Sequence, residues 1–405
     1  MNCQVCDSSD LYEVLDLGHH PPSDAFLTEE DLNQPETLHP LKVLFCKDCR
    51  LVQLSYAAPP KLLFTDQYVY MSSSNEPFKA QLHTFAEKLI EKLGLSEKDF
   101  VVDIGSNDGT FLEPFINHRI KVVGVDPSSI AKVAIEKGIP TVNEFFDENI
   151  AKTILEKHGK AQLITGLNVF QHVKYLESLV KGVKTLLDDS GVFVVQSHYL
   201  LDLIDKLQYD SIYLEHLRYY SLTSLINLLN HFDLEIFDAD HMDEHGGSIR
   251  AFISRKGKHI ISESVKEILR KEDDYKLHSI GTFENFRNRV NENRRTLNNL
   301  LHQIKSNGQR VVGIGAPAKG NTLLNFCKID SSILDYLVET NEWKVGKYCP
   351  GTHIKIKNET EMIKDQPEYA LLLPWNIKDD IIPKIRAKGY TGKIIVPNPM
   401  PTIVS

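Results

Sequence analysis

The stretch from Phe100 to Ser129 constrains the fold of this chain more than any other, because it contains a complete strand–turn–helix–strand pattern. An apolar run leads into a turn, G-S-N-D-G, that begins at Gly105, and a second apolar run from Lys121 to Val125 ends in Asp126. This layout predicts parallel strands that hold a nucleotide-type ligand over their carboxyl ends. Gly105 would let the backbone approach the ligand without a Cβ clash, and Asp126 could accept hydrogen bonds from ribose hydroxyls.

Strand and helix patterns alternate on both sides of this stretch, which predicts a doubly wound α/β domain over residues 76–255. Apolar residues recur at helical spacing and at strand spacing in turn. The predicted helices are Pro77–Leu93, Ile130–Lys137, Asn149–His158, Leu176–Leu187 and Leu222–Leu229, and the further strands are Ala161–Thr165, Val192–Gln196, Leu234–Asp240 and Ser248–Ser254.

Composition excludes several classes of protein. A length of 405 residues predicts two or three domains, and a net charge of −9 does not favour binding to nucleic acid or to an anionic membrane. No apolar run approaches the ~18 residues that span a bilayer. The polar first residues, MNCQVCDSSD, are unlike a signal peptide, so we expect a cytosolic protein with reduced thiols.

Two CxxC pairs lie near the start of the chain, Cys3 with Cys6 and Cys46 with Cys49. Two such knuckles can complete a tetrahedral sulfur site, so the pattern predicts a structural zinc ion in a module over residues 1–75. The pairs are farther apart than the ~15–20 residues usual in a zinc ribbon, and the loop between them must therefore fold on its own. Four thiolates leave no open position on the metal, which argues against catalytic zinc.

Several polar stretches of the N-terminal module and the central domain have both a structural and a chemical interpretation. Tyr68 and Tyr70 alternate like strand residues and indicate either packing or a ligand contact. The segment Tyr213–Ser221 brings a phenol, a carboxylate and an imidazole within four residues, and is either the polar start of a helix or a general-base site. The segment Glu244–Arg250 contains a Gly-Gly turn, which fits a hairpin or a loop that brings Arg250 to a ligand.

The last third, residues 256–405, is predicted to begin with one long amphipathic helix over Ile261–Asn307 and to continue as a second α/β domain. Its first strand leads into a glycine-rich turn from Gly313 to Gly320 that departs from both G-x-G-x-x-G and the P-loop spacing. A helix N-terminus beside Lys319 could still hold a phosphate. Further strands are predicted at Leu334–Glu339, Ala370–Leu373 and Lys393–Val396.

The ordered set of motifs resembles one enzyme family over almost the full length. The chain carries CxxC…CxxC, GSNDG, NVFQHV, YLEHLRYYS, HGGSIR, GIGAPAKGN and KYCPGTHI in this order. It resembles the sugar C-methyltransferases of deoxysugar biosynthesis, and its GSNDG turn resembles motif I of class I S-adenosylmethionine (SAM) methyltransferases. The resemblance implies a zinc-binding module, a central SAM domain and a C-terminal Rossmann-like domain. It also implies methyl transfer to carbon 3 of a nucleotide-linked, dTDP-type 4-keto-6-deoxysugar.

The resemblance implies a role for each site residue. His216 would be the base, supported by Tyr213, Glu215 and His172. SAM would lie on Asp103, Gly105, Ser106, Asn107, Asp108, Asp126, Pro127 and Asn168. The nucleotide-sugar would be held by Tyr68 or Tyr70 and by Ser248, Arg250, Lys319, Asn321 and Lys347.

The alternative function is a SAM-dependent O- or N-methyltransferase, which would need no enolate. A zinc-knuckle RNA-binding protein and an NAD-dependent oxidoreductase that uses the Gly313 turn are further alternatives. We expect a monomer with no nucleic-acid or membrane partner.

Overall fold

A computed structural model describes residues 1–59, 71–74 and 76–405 of the chain. The predicted sites at Tyr68 and Tyr70 lie outside these residues. The strands are β1 (Leu11–His20), β2 (His39–Cys46), β3 (Val52–Leu54), β4 (Phe100–Ile104), β5 (Lys121–Val125), β6 (Thr141–Val142), β7 (Ala161–Leu167), β8 (Leu187–His198), β9 (Arg218–Tyr219), β10 (Leu234–Met242), β11 (Ser248–Arg255), β12 (Val311–Ile314), β13 (Leu337–Glu339), β14 (Ile356–Asn358), β15 (Tyr369–Leu372), β16 (Lys393–Val396) and β17 (Thr402–Val404).

The α-helices pack around these strands as connections or as covering layers. They are α1 (Glu76–Leu93), α2 (Glu113–Asn117), α3 (Ala131–Glu136), α4 (Glu148–His158), α5 (Leu176–Leu186), α6 (Leu200–Asp205), α7 (Leu222–Asn230), α8 (Glu263–Asp274), α9 (Ile280–Ser306), α10 (Ala318–Cys327), α11 (Glu359–Asp365) and α12 (Lys378–Ala387). Within the described ranges, no helix is both long enough and apolar enough to cross a bilayer.

The central sheet has the order β10-β11-β8-β7-β4-β5-β6. Strands β6, β5, β4, β7 and β8 are parallel, and β11 is antiparallel to both β8 and β10. All five residues of β4 are buried, and four of them are apolar, Asp103 being the exception. The Gly246-Gly247 turn joins β10 to β11, so the hairpin predicted there is confirmed.

The N-terminal sheet has the order β1-β2-β3-β9. The long loop between the two cysteine pairs does fold on its own, since it forms most of the antiparallel β1–β2 pair. The edge strand β9 comes from a distant part of the chain: Val52 pairs with Tyr219 and Gln53 with Arg218. The N-terminal module therefore shares a sheet with the segment that carries His216.

The C-terminal sheet has the order β14-β13-β12-β15-β16-β17, with only the last pair antiparallel. The single helix predicted over Ile261–Asn307 is wrong, because α8 ends at Asp274 and α9 begins at Ile280. Lys276 adopts a left-handed conformation (φ 55°), and the Ser279 hydroxyl caps α9 by accepting a hydrogen bond from the Thr282 amide. The apolar stripe of α9 is nevertheless buried against the body of the protein, as predicted.

Candidate active site

The turn after β4 is held in a conformation that only glycine suits. Gly105 has a φ of +74°, and a Cβ there would lie 2.4 Å from Cγ2 of Val169. The Asn107 amide donates to Asp126 Oδ2 at 2.9 Å, and the Ser128 amide and hydroxyl donate to Oδ1 of the same carboxylate. Asp126 thus fixes the shape of the turn and still faces the adjoining cleft.

Two side chains of the turn anchor the start of the central region. Asn107 Oδ1 accepts a hydrogen bond from the Ser72 amide, and Asp108 Oδ2 accepts one from the Ser73 amide. Asp108 is fully buried and is not among the residues that line the cleft. Its position therefore indicates a structural role in the turn.

Two polar atoms beside the turn suit a polar ligand. Ser106 Oγ and Asn168 Oδ1 are buried, and neither has a hydrogen-bond partner among the residues that the structure describes. Both residues line the cleft with Gly105, Asp103 and Pro127. Buried polar atoms are normally satisfied, so these two fit a ligand that supplies the missing partners. The amino-acid and ribose groups of SAM are ligands of this kind.

Asp103 lies at the carboxyl end of β4, under the same turn. Its Oδ1 accepts a hydrogen bond of 2.6 Å from the Thr165 hydroxyl. Burial, with a smaller contribution from the neighbouring Asp126 carboxylate, raises the pKa of Asp103 to about 7.

The cleft has a volume of about 1300 Å³ and extends from this turn to His216 and on to the C-terminal domain. His216 is buried, with 3% of its surface exposed. Its Nδ1 lies 3.1 Å from the Ser211 carbonyl, which can only accept, so Nδ1 carries the proton. Nε2 is therefore the basic nitrogen, and it accepts a hydrogen bond of 2.8 Å from the Tyr213 hydroxyl.

The surroundings of His216 keep the ring neutral. Burial lowers its pKa well below the ordinary histidine value, and the nearby rings of His172 and His198 lower it further. The two ring centroids lie 4.8 Å and 4.9 Å from that of His216. A neutral imidazole with a defined basic nitrogen is what a general base requires.

Glu215 precedes His216 in the chain, but its hydrogen-bond partners are not those of His216. Its carboxylate accepts hydrogen bonds from the Ser23 amide at 3.2 Å and the Ser23 hydroxyl at 2.9 Å. Its carbonyl accepts one of 2.7 Å from Nδ1 of His172. Burial, with a contribution from Asp24, raises the pKa of Glu215 to about 7, and burial lowers that of His172 to about 4.

The far end of the cleft is lined by C-terminal residues. Lys319 donates to Asn376 Oδ1 at 3.0 Å, and Lys344 donates to the Ala316 carbonyl at 2.8 Å. Both lysines could reach a negatively charged ligand in the cleft. Lys347 instead lies over the Trp343 ring, with its Nζ 3.1 Å from the centroid, and does not line the cleft.

Three other residues predicted to bind substrate also lie outside the cleft lining. Arg250 donates two hydrogen bonds to Gln196 and lies over the Phe85 ring. The Ser248 hydroxyl donates to the Glu244 carbonyl. Asn321 donates to the Ser23 carbonyl. Each of these contacts stabilises the protein scaffold.

The four cysteines of the CxxC pairs meet at one point. Their sulfur atoms all lie within 4.8 Å of one another, with Cys3–Cys49 and Cys6–Cys46 separations of 3.5 Å. A tetrahedral zinc site with Zn–S bonds of about 2.3 Å requires sulfur separations of about 3.8 Å. The two knuckles have the same shape, since the residue after each pair, Asp7 or Arg50, has a positive φ and donates its amide to the carbonyl of the first cysteine. The donor set fits zinc.

Three family models match consecutive parts of the chain. They describe a zinc binding domain (residues 3–64), a methyltransferase domain (78–239) and a C-methyltransferase C-terminal domain (243–399). The C-methyltransferase NovU of Streptomyces niveus is 33% identical over 406 residues, covering 100% of this chain and 96% of that protein. The chain belongs to this family of SAM-dependent C-methyltransferases. It therefore uses SAM and carries a zinc-binding module, and the O- or N-methyltransferase alternative is wrong.

Solved structures resemble parts of this C-methyltransferase at low identity. A SAM-dependent methyltransferase from Clostridium acetobutylicum is 17% identical and covers 44% of this chain and 92% of its own, with a TM-score of 0.36. Magnesium protoporphyrin IX methyltransferase from Synechocystis, with bound S-adenosylhomocysteine, is 14% identical and covers 48% of this chain and 90% of its own, with a TM-score of 0.35. Nothing about the acceptor follows from similarity at this level.

Several cleft residues of the C-methyltransferase escaped the sequence analysis. They are Asp24, Gln171, His198, Lys344 and Asn376. Asp24 comes from a loop whose composition is ordinary, so only the tertiary structure reveals that it lines the cleft with His216. Lys344 could have been found, since it lies in the same turn-rich loop as Lys347.

Proposed function

We propose that the enzyme transfers the methyl group of SAM to carbon 3 of a nucleotide-linked 4-keto-6-deoxysugar, with dTDP as the nucleotide. The observation that carries this proposal is one continuous cleft. It joins the Gly105 turn, the His216 and Tyr213 pair, and the two lysines of the C-terminal domain. Such a cleft suits two ligands that meet at the base, one of them with a charged tail.

The site supports an enolate mechanism. A ketone at carbon 4 acidifies the proton on carbon 3, and Nε2 of His216 is placed to remove it. The Tyr213 hydroxyl, which donates to Nε2 in the present structure, would turn to the ketone oxygen and donate to the developing enolate. SAM supplies the electrophilic methyl group when it is bound. Carbon 3 forms the new bond to this methyl as the sulfur–methyl bond breaks, while the proton remains on His216.

Lys319 and Lys344 would bind the diphosphate of the sugar nucleotide. Lys319 is largely enclosed, and burial lowers its pKa while the nearby Asp210 carboxylate opposes this effect. An anionic ligand would favour the charged form of this lysine. The domain boundaries near residues 75 and 255, the monomeric state and the cytosolic location stay predictions.

Deuterium exchange tests the proposal directly. The protein is incubated in deuterated water with a dTDP-4-keto-6-deoxysugar, first without and then with SAM, and the sugar is followed by mass spectrometry and proton NMR. We expect deuterium at carbon 3 without SAM and a gain of one methyl group with it. Neither exchange nor methyl gain across a panel of 4-keto-6-deoxysugars would refute the proposed acceptor class.

His216→Asn tests the assignment of the base. We expect this variant to bind SAM with unchanged affinity in isothermal titration calorimetry and to lose at least 100-fold in kcat, the usual contribution of a general base. His118→Asn is the matched control, because His118 pairs with Glu87 on the surface. Turnover of His216→Asn at the wild-type rate would refute the assignment.

A further inference from the structure

The Glu215 carboxylate accepts hydrogen bonds from a residue of the N-terminal module. Glu215 itself belongs to the central region and follows the short 3-10 helix Tyr209–Ser211. Ser23 provides both donors, its amide to Oε1 and its hydroxyl to Oε2. Ser23 is 4% exposed and Glu215 is 7% exposed. Bulk water therefore competes little for these two hydrogen bonds.

Ser23 is in turn fixed by the C-terminal domain. Nδ2 of Asn321, on α10, donates to the Ser23 carbonyl at 2.6 Å. Nδ2 of Asn325, one turn later, donates to the Asn321 carbonyl at 2.8 Å and to the Pro350 carbonyl at 3.1 Å. A chain of hydrogen bonds thus runs from the loop at Pro350 to the Glu215 carboxylate.

We infer that Ser23 is a positioning residue that fixes the orientation and the charge state of Glu215 beside the base. This inference rests on the proposed function, because Glu215 lines the cleft beside His216, the proposed base. Two hydrogen bonds donated to a carboxylate favour its ionised form. They oppose burial and the Asp24 carboxylate, which raise the pKa of Glu215, and the net result of these effects is a pKa of about 7.

Other titratable and charged groups lie around Glu215. One acid, two lysines, three histidines and two tyrosines line the same cleft or contact its walls. They are Asp24, Lys319, Lys344, His172, His198, His216, Tyr213 and Tyr219. Ser23 is distinguished from these groups because both its amide and its hydroxyl donate directly to the Glu215 carboxylate.

The test is a titration of Glu215 by difference infrared spectroscopy, with the carboxyl band assigned through Glu215→Gln. In Ser23→Ala the hydroxyl donor is lost, and we expect the midpoint of the band to rise by about one pH unit. Ser23→Thr retains the hydroxyl and should restore the wild-type midpoint. Asn321→Ala, which releases the Ser23 carbonyl, should also raise the midpoint.

The matched control is Ser190→Ala. The Ser190 amide and hydroxyl both donate to Asp188 on the surface, so this change removes the same type of contact far from the cleft. The control should leave the Glu215 midpoint unchanged. An unchanged midpoint in both Ser23→Ala and Asn321→Ala would overturn the inference.

The pH profile of methyl transfer gives a second readout. In Ser23→Ala we expect the acidic limb of kcat to move upward by the same shift as the infrared midpoint, with the SAM affinity unchanged. If the wild-type enzyme fails to methylate any 4-keto-6-deoxysugar but the infrared midpoint still shifts, the proposed function fails and the positioning by Ser23 stands. A shifted midpoint with an unmoved acidic limb would overturn the link between Glu215 and turnover.

Discussion

At the scale of single residues, this site depends on backbone geometry as much as on functional groups. Gly105 combines a left-handed conformation with a close approach to Val169, so the turn proposed to bind SAM does not accommodate a Cβ there. His216 owes its role to two oxygen atoms, the Ser211 carbonyl and the Tyr213 hydroxyl, which together leave Nε2 as the basic nitrogen. The residue types alone suggested a ligand-binding turn at Gly105 and a base at His216. The backbone conformation of Gly105 and the hydrogen bonds of His216 are what make these roles possible.

Gly105→Ala should weaken SAM binding. The new Cβ would lie 2.4 Å from Cγ2 of Val169, so either the turn or Val169 must move, and the left-handed backbone adds about 1 kcal/mol of strain. We expect at least a tenfold loss of SAM affinity in calorimetry. Gly94→Ala is the control, because Gly94 also has a positive φ (+62°) but open space around its Cβ position. Wild-type affinity in Gly105→Ala would contradict this account of the turn.

At the scale of elements, the strand pair β3–β9 links the zinc module to the catalytic segment. β3 begins at Val52, three residues after Cys49, and β9 begins at Arg218, two residues after His216. Asn227 on α7 also donates to the Cys49 carbonyl at 3.0 Å. Loss of the knuckle should therefore disturb the position of His216 and leave the parallel strands of the central sheet in place.

Cys46→Ser should remove zinc and turnover together. We expect one zinc ion per wild-type chain by mass spectrometry of the metal, less than 0.2 per variant chain, and a loss of most methyl transfer. SAM affinity should remain within a few-fold of wild type. Cys349→Ala is the control, because this buried thiol lies outside the cluster and should leave the zinc content unchanged. Full activity in a zinc-free Cys46→Ser protein would contradict the predicted linkage.

His278 lies in the break between α8 and α9, where its burial makes the stability of the fold depend on pH. The Ser221 hydroxyl forms a hydrogen bond of 2.9 Å with Nε2 of His278, and burial lowers the pKa of this histidine to about 4. Below its unfolded pKa of about 6.5, the unfolded chain binds a proton at His278 that the folded chain does not bind. His278 therefore contributes a loss of stability as the pH falls from about 6.5 to 4.

His278→Gln should lower the free energy of unfolding by less at acidic pH than at neutral pH. Glutamine can keep a hydrogen bond to Ser221 and does not titrate. The destabilisation caused by the change should be about 2 kcal/mol smaller at pH 4.5 than at pH 7, as measured by urea unfolding. His302→Gln, at an exposed position of α9, should show no such difference. A cost that is equal at both pH values would rule out the depressed pKa.

At the scale of the whole molecule, the cleft is formed by residues from all three parts of the chain and not by one domain alone. Its described walls come from the turn after β4, the loop at Asp24, the segment at His216 and the start of α10. The two lysines proposed to bind the diphosphate belong to the C-terminal domain, and the proposed base, His216, belongs to the central region. The acceptor would therefore bind between the two α/β sheets.

Lys344→Met should weaken binding of the sugar nucleotide. Removing one charge from a diphosphate contact should raise KM for the nucleotide-sugar about tenfold, which corresponds to ~1.4 kcal/mol, with little change in the affinity for SAM. Lys347→Met is the matched control from the same loop, since Lys347 packs on Trp343 outside the cleft. Equal effects of the two changes on KM would contradict the placement of the diphosphate.

The sequence by itself determined the features that depend on short-range patterns. These features are the two CxxC pairs, the strand–turn–helix at Gly105, the alternating elements of the central sheet, and the cluster of Tyr213, Glu215 and His216. Their chemistry follows from spacing and residue type. The motif order then identified the family, which the comparison with NovU confirmed.

Only the tertiary structure decided which distant groups act on that cluster. No pattern in the sequence predicts that Ser23 holds Glu215, that Lys344 rather than Lys347 lines the cleft, or that β9 joins the N-terminal sheet. The break at Lys276 was missed for a related reason, because a left-handed residue flanked by helix formers is stabilised by the burial of Leu277 and not by local propensity. Contacts between residues far apart in the chain depend on packing, and packing is fixed only when the sheets assemble.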